Sequence, residues 1–194
     1  MSAPLVLGVD VDDVLADFQL GFKAVVAADL GVSIDSLGEP ADWDCLSWGV
    51  RDRDHFEELN HRAVVEQHIL RTLPPIPGAP AAIRHLHKQG VFIRIITHRL
   101  RIPNERALTM IDTAMWFESH DVPFDDFCFS GDKDQILADC YIDDAPHNIE
   151  RFRDAGKHAL IFDQAYNRHL SGPRVKHWDE VEPYLHKEFP HRFG

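Results

Sequence analysis

Long apolar runs are missing from this 194-residue sequence, and with them any stretch able to cross a bilayer as a helix. The amino terminus carries no basic segment leading into an apolar one, because Met1–Pro4 run straight into Leu5–Val9. A secretory leader is therefore not expected, and a cytoplasmic protein with no membrane partner is. Cysteine is scarce. Cys45, Cys128 and Cys140 show no CxxC spacing and cannot all pair within one chain, so free, mostly buried thiols in a reducing compartment are expected. Positive charge is in deficit, with 20 Lys and Arg against 32 Asp and Glu and a net charge of -12. That balance argues against a nucleic-acid polymer as ligand, while a small anion needs only local positive charge or a metal. None of the 13 histidines falls in an HExxH arrangement, and His85 and His87, two apart, face different sides of a helix. Internal repeats and low-complexity segments are absent too.

What is present begins with Leu5–Phe18. A short unbroken apolar run, the pattern of a strand buried on both faces, ends in Asp10 and Asp12 and is followed by a turn and helix-compatible sequence. Strand alternation sends Asp10 and Asp12 to the same side. A helix cap accounts for one of Asp12 and Asp13, but not for three aspartates with a fourth at Asp17.

Further along, helical spacing of Phe18, Phe22, Val25, Val26 and Leu30 stops at Gly31. Residues 31–50 are irregular, with Trp43 and Trp48 open to two readings, local core or substrate-facing wall. A helix is expected over 52–65 and a short one to Leu70. Leu73–Pro80 is too rich in proline for a helix or a central strand and forms a stiff connector. A helix over 79–89 ends at Gly90, and Val91–Ile96 reads as a second buried strand in which Arg94 is an awkward guest. A helix starts near Pro103 and runs through Phe117. Strands follow at 127–129, 140–142 and 158–162, with helical segments at 134–138, 146–155 and 179–186.

Such alternation implies a doubly wound α/β fold, a parallel sheet with helices on both sides. The helical material between the first two strands is too long for a simple crossover. It reads as a small helical cap inserted after the first strand, residues 18–77, on a core of residues 1–17 and 78–194.

Four strand ends carry complementary polar groups: Asp10 and Asp12, Thr97, Lys133, and Asp143 with Asp144. In a parallel sheet these ends share one edge, where open α/β sheets place their ligands. The carboxylates form a hard, all-oxygen set that suits Mg²⁺. Lys133 and Thr97 supply a positive charge and a hydroxyl to phosphoryl oxygens, Asp10 a nucleophile, and Asp12 an acid/base.

These residues resemble the four motifs of the haloacid dehalogenase (HAD) superfamily, with its Rossmann-like core. The acid at position 12 is similar to that of its phosphatases and is missing from its dehalogenases. Asp10–Phe18, Leu73–Ala79, Asp132-Lys133, Tyr141–Asp144 and Phe162–Asn167 resemble the 5'(3')-deoxyribonucleotidase-like family over nearly the whole chain. The resemblance implies a Mg²⁺-dependent phosphomonoesterase that hydrolyses nucleoside monophosphates through an aspartyl-phosphate. It implies Asp10 as nucleophile and metal ligand, and Asp12 as acid/base with its carbonyl on the metal. Thr97, His98 and Lys133 would hold the phosphate. Of Asp143 and Asp144, the second matches the direct metal ligand more closely. Phe18 matches a base-contacting position, with Trp43, Trp48 and Arg99 as further substrate contacts.

Two departures stand out. Asp13 replaces a small residue, and His98-Arg99 replaces a small residue and proline. Arg99 either recognises a second anionic group or points to solvent and pairs with a local carboxylate. Another small phosphate ester as substrate, or non-catalytic nucleotide binding, are the alternatives. A homodimer is compatible with all of these readings.

Overall fold

The computed structural model describes residues 3–193; Met1 and Ser2, part of the amino-terminal stretch read for a leader, lie outside them. Six parallel strands form one sheet in the order β3-β2-β1-β4-β5-β6. They are β1 (Val6–Val9), β2 (Phe92–Thr97), β3 (Asp126–Phe129), β4 (Cys140–Asp143), β5 (His158–Phe162) and β6 (Arg174–Val175). Leu7 and Val9 are fully buried, as a strand covered on both faces requires. β1 lies between β2 and β4, with Val9 opposite Ile95 on one side and Ile142 on the other. The winding direction reverses there, so the carboxyl end of β1 opens on the crevice where such sheets hold ligands.

Helices follow the sequence's own stops. Helix α1 (Phe18–Leu30) is capped by the Asp17 side chain, which accepts from the Leu20 amide at 2.9 Å, and ends at Gly31 with φ 66°. Helix α2 (Arg53–His61) is capped by Asp52 and runs on into a π-helical turn at Arg62–Glu66, which together fill the span expected for one helix. Short α3 (Ile69–Thr72) precedes the proline connector, and α4 (Ala79–Lys88) follows it. Beyond β2, helix α5 (Arg106–Ser119) starts three residues after Pro103, because Asn104 takes a left-handed conformation (φ 67°) that a helix cannot include. Residues 133–135 make only a short 3-10 turn where a helical link is expected. Helices α6 (Pro146–Asp154) and α7 (Val181–Glu188) complete the chain. Strand β6 has no counterpart in the sequence reading, since two residues are too few to show alternation.

The two chain segments that join the helical segment to the sheet run side by side. The Asp17 amide donates to Pro74 O at 2.9 Å, Ile76 to Leu15 O at 2.8 Å, and Ala16 bridges Pro75 in antiparallel fashion. Two buried indoles secure this ribbon: Trp178 donates to Val14 O and Trp116 to Leu73 O, both at 2.8 Å. One continuous apolar core takes in Phe22, Val26, Phe56 and Leu59 from the helical segment together with Leu7, Ile95 and Leu160 of the sheet. Arg94, on the interior strand β2, is accommodated by its own hydrogen bonds: it donates to Asp126 at 2.9 Å and to the Leu137 carbonyl. Cys45 and Cys140 are free thiols whose burial pushes them up to about 12, leaving both inert at neutral pH. Among the described residues no helix is long and apolar enough to cross a membrane.

Candidate active site

Asp10 leaves β1 with its amide bonded to Ile142 O, which fixes the backbone where the sheet ends. Its Oδ1 accepts from the Val11 amide at 2.7 Å and sits 2.7 Å from Lys133 Nζ. Lys133 comes from the turn after β3 and reaches across to Asp143 Oδ2 at 2.8 Å. All three side chains are buried. Burial drives the Asp10 carboxyl up, against the attraction of Lys133, to about 7, with Asp143 and Asp12 adding to the rise. Lys133 moves the other way in charge terms: burial opposes its ammonium, but Asp10 and Asp143 outweigh that and hold it protonated.

Asp143 ends β4 with both oxygens engaged. Oδ1 accepts from the Ala145 amide at 2.9 Å, Oδ2 from Lys133, and Asn148 Nδ2 lies 3.1 Å from each. Asp144 differs. Its Oδ2 accepts from the Tyr166 hydroxyl, while its Oδ1 is buried and has no partner. Asp10, Asp143 and Asp144 each offer an oxygen within 4.8 Å of the others. Burial, then the neighbouring Asp143 and Asp10, raise the Asp144 carboxyl well above the usual carboxylate range. A hard divalent cation fits this set: it answers the orphaned oxygen and the crowded negative charge at once.

Thr97 closes β2 on the opposite side of β1. Its hydroxyl is fully buried and has no hydrogen-bond partner. A buried polar group is seldom left so in a native protein, and this hydroxyl keeps its donor and acceptor capacity unspent. His98 lies so close to Gly131 that a Cβ there would sit 2.7 Å from His98 Nε2, so any side chain at 131 would make the His98 ring move. Burial, together with Arg101 and Lys133, lowers the His98 pKa and so favours the neutral ring.

Asp12 is 28% exposed and faces Arg99, whose side chain is 2% exposed. Arg99 Nη2 donates to Asp12 Oδ1 at 2.7 Å and Nε lies 3.1 Å from both carboxylate oxygens. Arg99 therefore pairs with a local carboxylate but is buried rather than turned to solvent, and it is part of the cavity lining. Asp13, left-handed at φ 57°, is buried and accepts from the Gln19 amide at 2.9 Å. It thus satisfies the amide of the second residue of α1, beside the Asp17 cap, and burial pushes its carboxyl to about 8.

A cavity of about 130 Å³ opens over these groups, lined on the helical side by Phe18, Gln19, Phe56 and Trp43. Phe18 stacks on Phe22 with centroids 5.4 Å apart, and Trp43 meets the rings of His147 and Tyr166 edge-on at 5.5 and 5.3 Å. Trp48 is not brought here. It is buried away from the cavity, with its indole N–H on Gly38 O at 2.9 Å, so of the two tryptophans one is core and one is wall. Arg101 lines the cavity too, bonded to Glu57 of α2 at 2.7 Å. Sequence reasoning passed over Tyr166, Asn148 and His147. Tyr166 belongs to the Phe162–Asn167 stretch, so a signal existed for it, while nothing in the sequence marks Asn148 or His147.

Comparison with known proteins gives a consistent picture. The family described as "5' nucleotidase, deoxy (Pyrimidine), cytosolic type C protein" matches residues 4–188. A protein of Chlorobaculum tepidum named "Putative 5'(3')-deoxyribonucleotidase" is 35% identical over 91% of this chain and 88% of its own length. The 5'(3')-deoxyribonucleotidase of Bacillus subtilis is 25% identical over 93% of this chain and 98% of its own. Among solved structures, a HAD family hydrolase from Deinococcus radiodurans with bound phosphate and sodium superposes with a TM-score of 0.60. It is 16% identical, over 96% of this chain and 97% of that one, a likeness of fold.

Proposed function

Since the chain belongs to the family of deoxy (pyrimidine) 5' nucleotidases of cytosolic type C, a hydrolase family, we propose that it hydrolyses nucleoside monophosphates, deoxyribonucleotides foremost, through an aspartyl-phosphate on Asp10. The observation that carries this reading is a pair of buried, unpartnered oxygens, Thr97 Oγ1 at the end of β2 and Asp144 Oδ1 just after β4, the two strands that flank β1. One fits a phosphoryl oxygen and the other a cation. Asp10, Asp144 and the Asp12 carbonyl would hold Mg²⁺, with Asp143 supporting from behind through Lys133 and Asn148. The bound ion supplies charge neutralisation that lets a carboxylate approach a phosphate dianion.

The chain's own residues do the rest. Lys133 and the Thr97 hydroxyl hold the phosphoryl oxygens, with His98 beside them. A carboxylate oxygen of Asp10 forms a bond to phosphorus as the bond to the ester oxygen breaks, and Asp12 gives that oxygen its proton. The nucleoside departs. Asp12 then takes a proton from water, the water oxygen bonds to phosphorus, and Asp10 is released with inorganic phosphate. Residues 18–77 form the cap, where Phe18 and Trp43 provide flat apolar faces for a nucleobase.

Phosphate release from a panel of phosphomonoesters with Mg²⁺ tests the substrate. Nucleoside monophosphates should head the ranking, and a preference for sugar phosphates would overturn the nucleotidase reading. Asp10→Asn should lower turnover by about three orders of magnitude or more with the fold intact. Normal turnover by that variant would exclude the covalent route.

A further inference from the structure

Arg99 is a buried guanidinium that, among the described residues, has a single carboxylate partner, Asp12. We infer that Arg99 is the positioning residue of Asp12, fixing which of its two oxygens faces the substrate; the inference rests on the phosphatase reading above. The contacts are unequal. Asp12 Oδ1 receives Nη2 at 2.7 Å and Nε at 3.1 Å, whereas Oδ2 receives only the longer, shared Nε contact at 3.1 Å. Oδ1 is the anchored oxygen and Oδ2 the one free to carry a proton.

The fork is itself held. Arg99 Nη1 donates to Thr113 Oγ1 at 3.2 Å, and the Thr113 hydroxyl donates in turn to Thr109 O at 2.7 Å, one turn earlier in α5. Both threonines are buried. A planar guanidinium tied at all three nitrogens has one orientation, which a lysine ammonium at the same place would not reproduce. Through Arg99, helix α5 thereby sets the direction of a carboxylate that lies 87 residues before that arginine in sequence. During phosphoryl transfer the bond from phosphorus to the ester oxygen breaks, and the proton passes from Oδ2 to that oxygen. A misplaced Oδ2 leaves the oxygen to depart as an alkoxide.

The need for that proton depends on the leaving group. An alkoxide of high basicity needs it, and p-nitrophenolate does not. The test is therefore kcat/KM of the Mg²⁺-loaded enzyme across a series of aryl and alkyl phosphates, plotted against leaving-group basicity. Wild type should show a shallow dependence. Arg99→Met should lose about 10- to 100-fold on alkyl phosphates and no more than about twofold on p-nitrophenyl phosphate, so the plot steepens. Arg99→Lys should not restore the shallow slope. Thr113→Val, which keeps the charge and the volume and removes only the anchor, should steepen the plot by a smaller amount and covers the case in which Arg99→Met fails to fold. An equal loss across the whole series, or no loss, would overturn the inference and leave the ion pair a structural tie. A wild-type enzyme that hydrolyses the series but no nucleotide counts against the substrate reading alone.

Discussion

Tyr166 joins two acids, Asp144 and Asp13, that the sequence leaves separate. Its hydroxyl donates to Asp144 Oδ2 and lies 3.4 Å from Asp13 Oδ2, and its backbone follows Gln164, whose side chain donates to Asp13 O at 2.8 Å. Burial, reinforced by Asp144 and Asp13, raises the phenol well above its ordinary value, so it remains a donor throughout the working range. Groups that orient a metal ligand typically matter about 10- to 100-fold in metal affinity. Tyr166→Phe should accordingly raise the Mg²⁺ concentration for half-maximal activity by about tenfold, with turnover at saturating Mg²⁺ within about threefold of wild type. A Mg²⁺ titration of phosphate release reads both, and an unshifted midpoint would remove Tyr166 from the support of the site. The acids, Thr97 and Lys133 were legible because each follows its own apolar run. Tyr166 lay in a recognisable stretch and Arg99 was a candidate, but their pairings with Asp144 and Asp12 were not legible, for those partners lie 22 and 87 residues away and no local pattern encodes such pairs.

The elements show the same division. Helices capped by Asp17 and Asp52, and strands made of continuous apolar runs, announced themselves, since their determinants are neighbours in sequence. The ribbon between Leu15–Asp17 and Pro74–Ile76 did not, because proline content revealed a stiff connector but not its pairing. This ribbon is short, and its hold on the sheet relies on the two indoles, Trp116 on the returning side and Trp178 on the outgoing side. Leu73 itself is buried, so its carbonyl has no water to turn to once the indole N–H is gone. Trp116→Phe should lower the unfolding free energy by about 1–3 kcal/mol, from an unsatisfied buried carbonyl plus the space the smaller ring leaves. Urea unfolding read by circular dichroism measures it. Trp43→Phe, at the cavity wall, serves as the control and should change stability by less than about 1 kcal/mol. Equal stability of Trp116→Phe and wild type would show that the ribbon does not need this tie.

At the scale of the whole molecule, a chain of net charge -12 gathers the buried carboxyls of Asp10, Asp13, Asp143 and Asp144 at one sheet edge. The three whose pKa is driven upward by burial are Asp10 to about 7, Asp13 to about 8, and Asp144 well above the carboxylate range. A carboxyl with a raised folded-state pKa binds more protons folded than unfolded at intermediate pH, so stability falls as pH rises. The contribution is complete below the ordinary value of 3.8 and is lost as pH climbs through about 7 to 8. Asp29 acts in the opposite sense, since hydrogen bonds from Arg62 and His55 lower it, and its contribution fades only under more acid conditions. In the absence of divalent cation the melting temperature should therefore drop steadily from pH 5 to pH 9. Mg²⁺ needs the ionised forms of Asp10 and Asp144, so its stabilisation should grow with pH. At 100 times its dissociation constant it adds about 2.7 kcal/mol, enough to flatten much of the decline. Asp13 stands outside the cation cluster, so a residual slope near pH 8 should persist with Mg²⁺ and disappear in Asp13→Asn. Thermal scans from pH 5 to 9, with EDTA or with Mg²⁺, measure all three effects. A metal-free protein that grows more stable across that window would mean that these buried acids are ionised in the folded chain without a cation beside them.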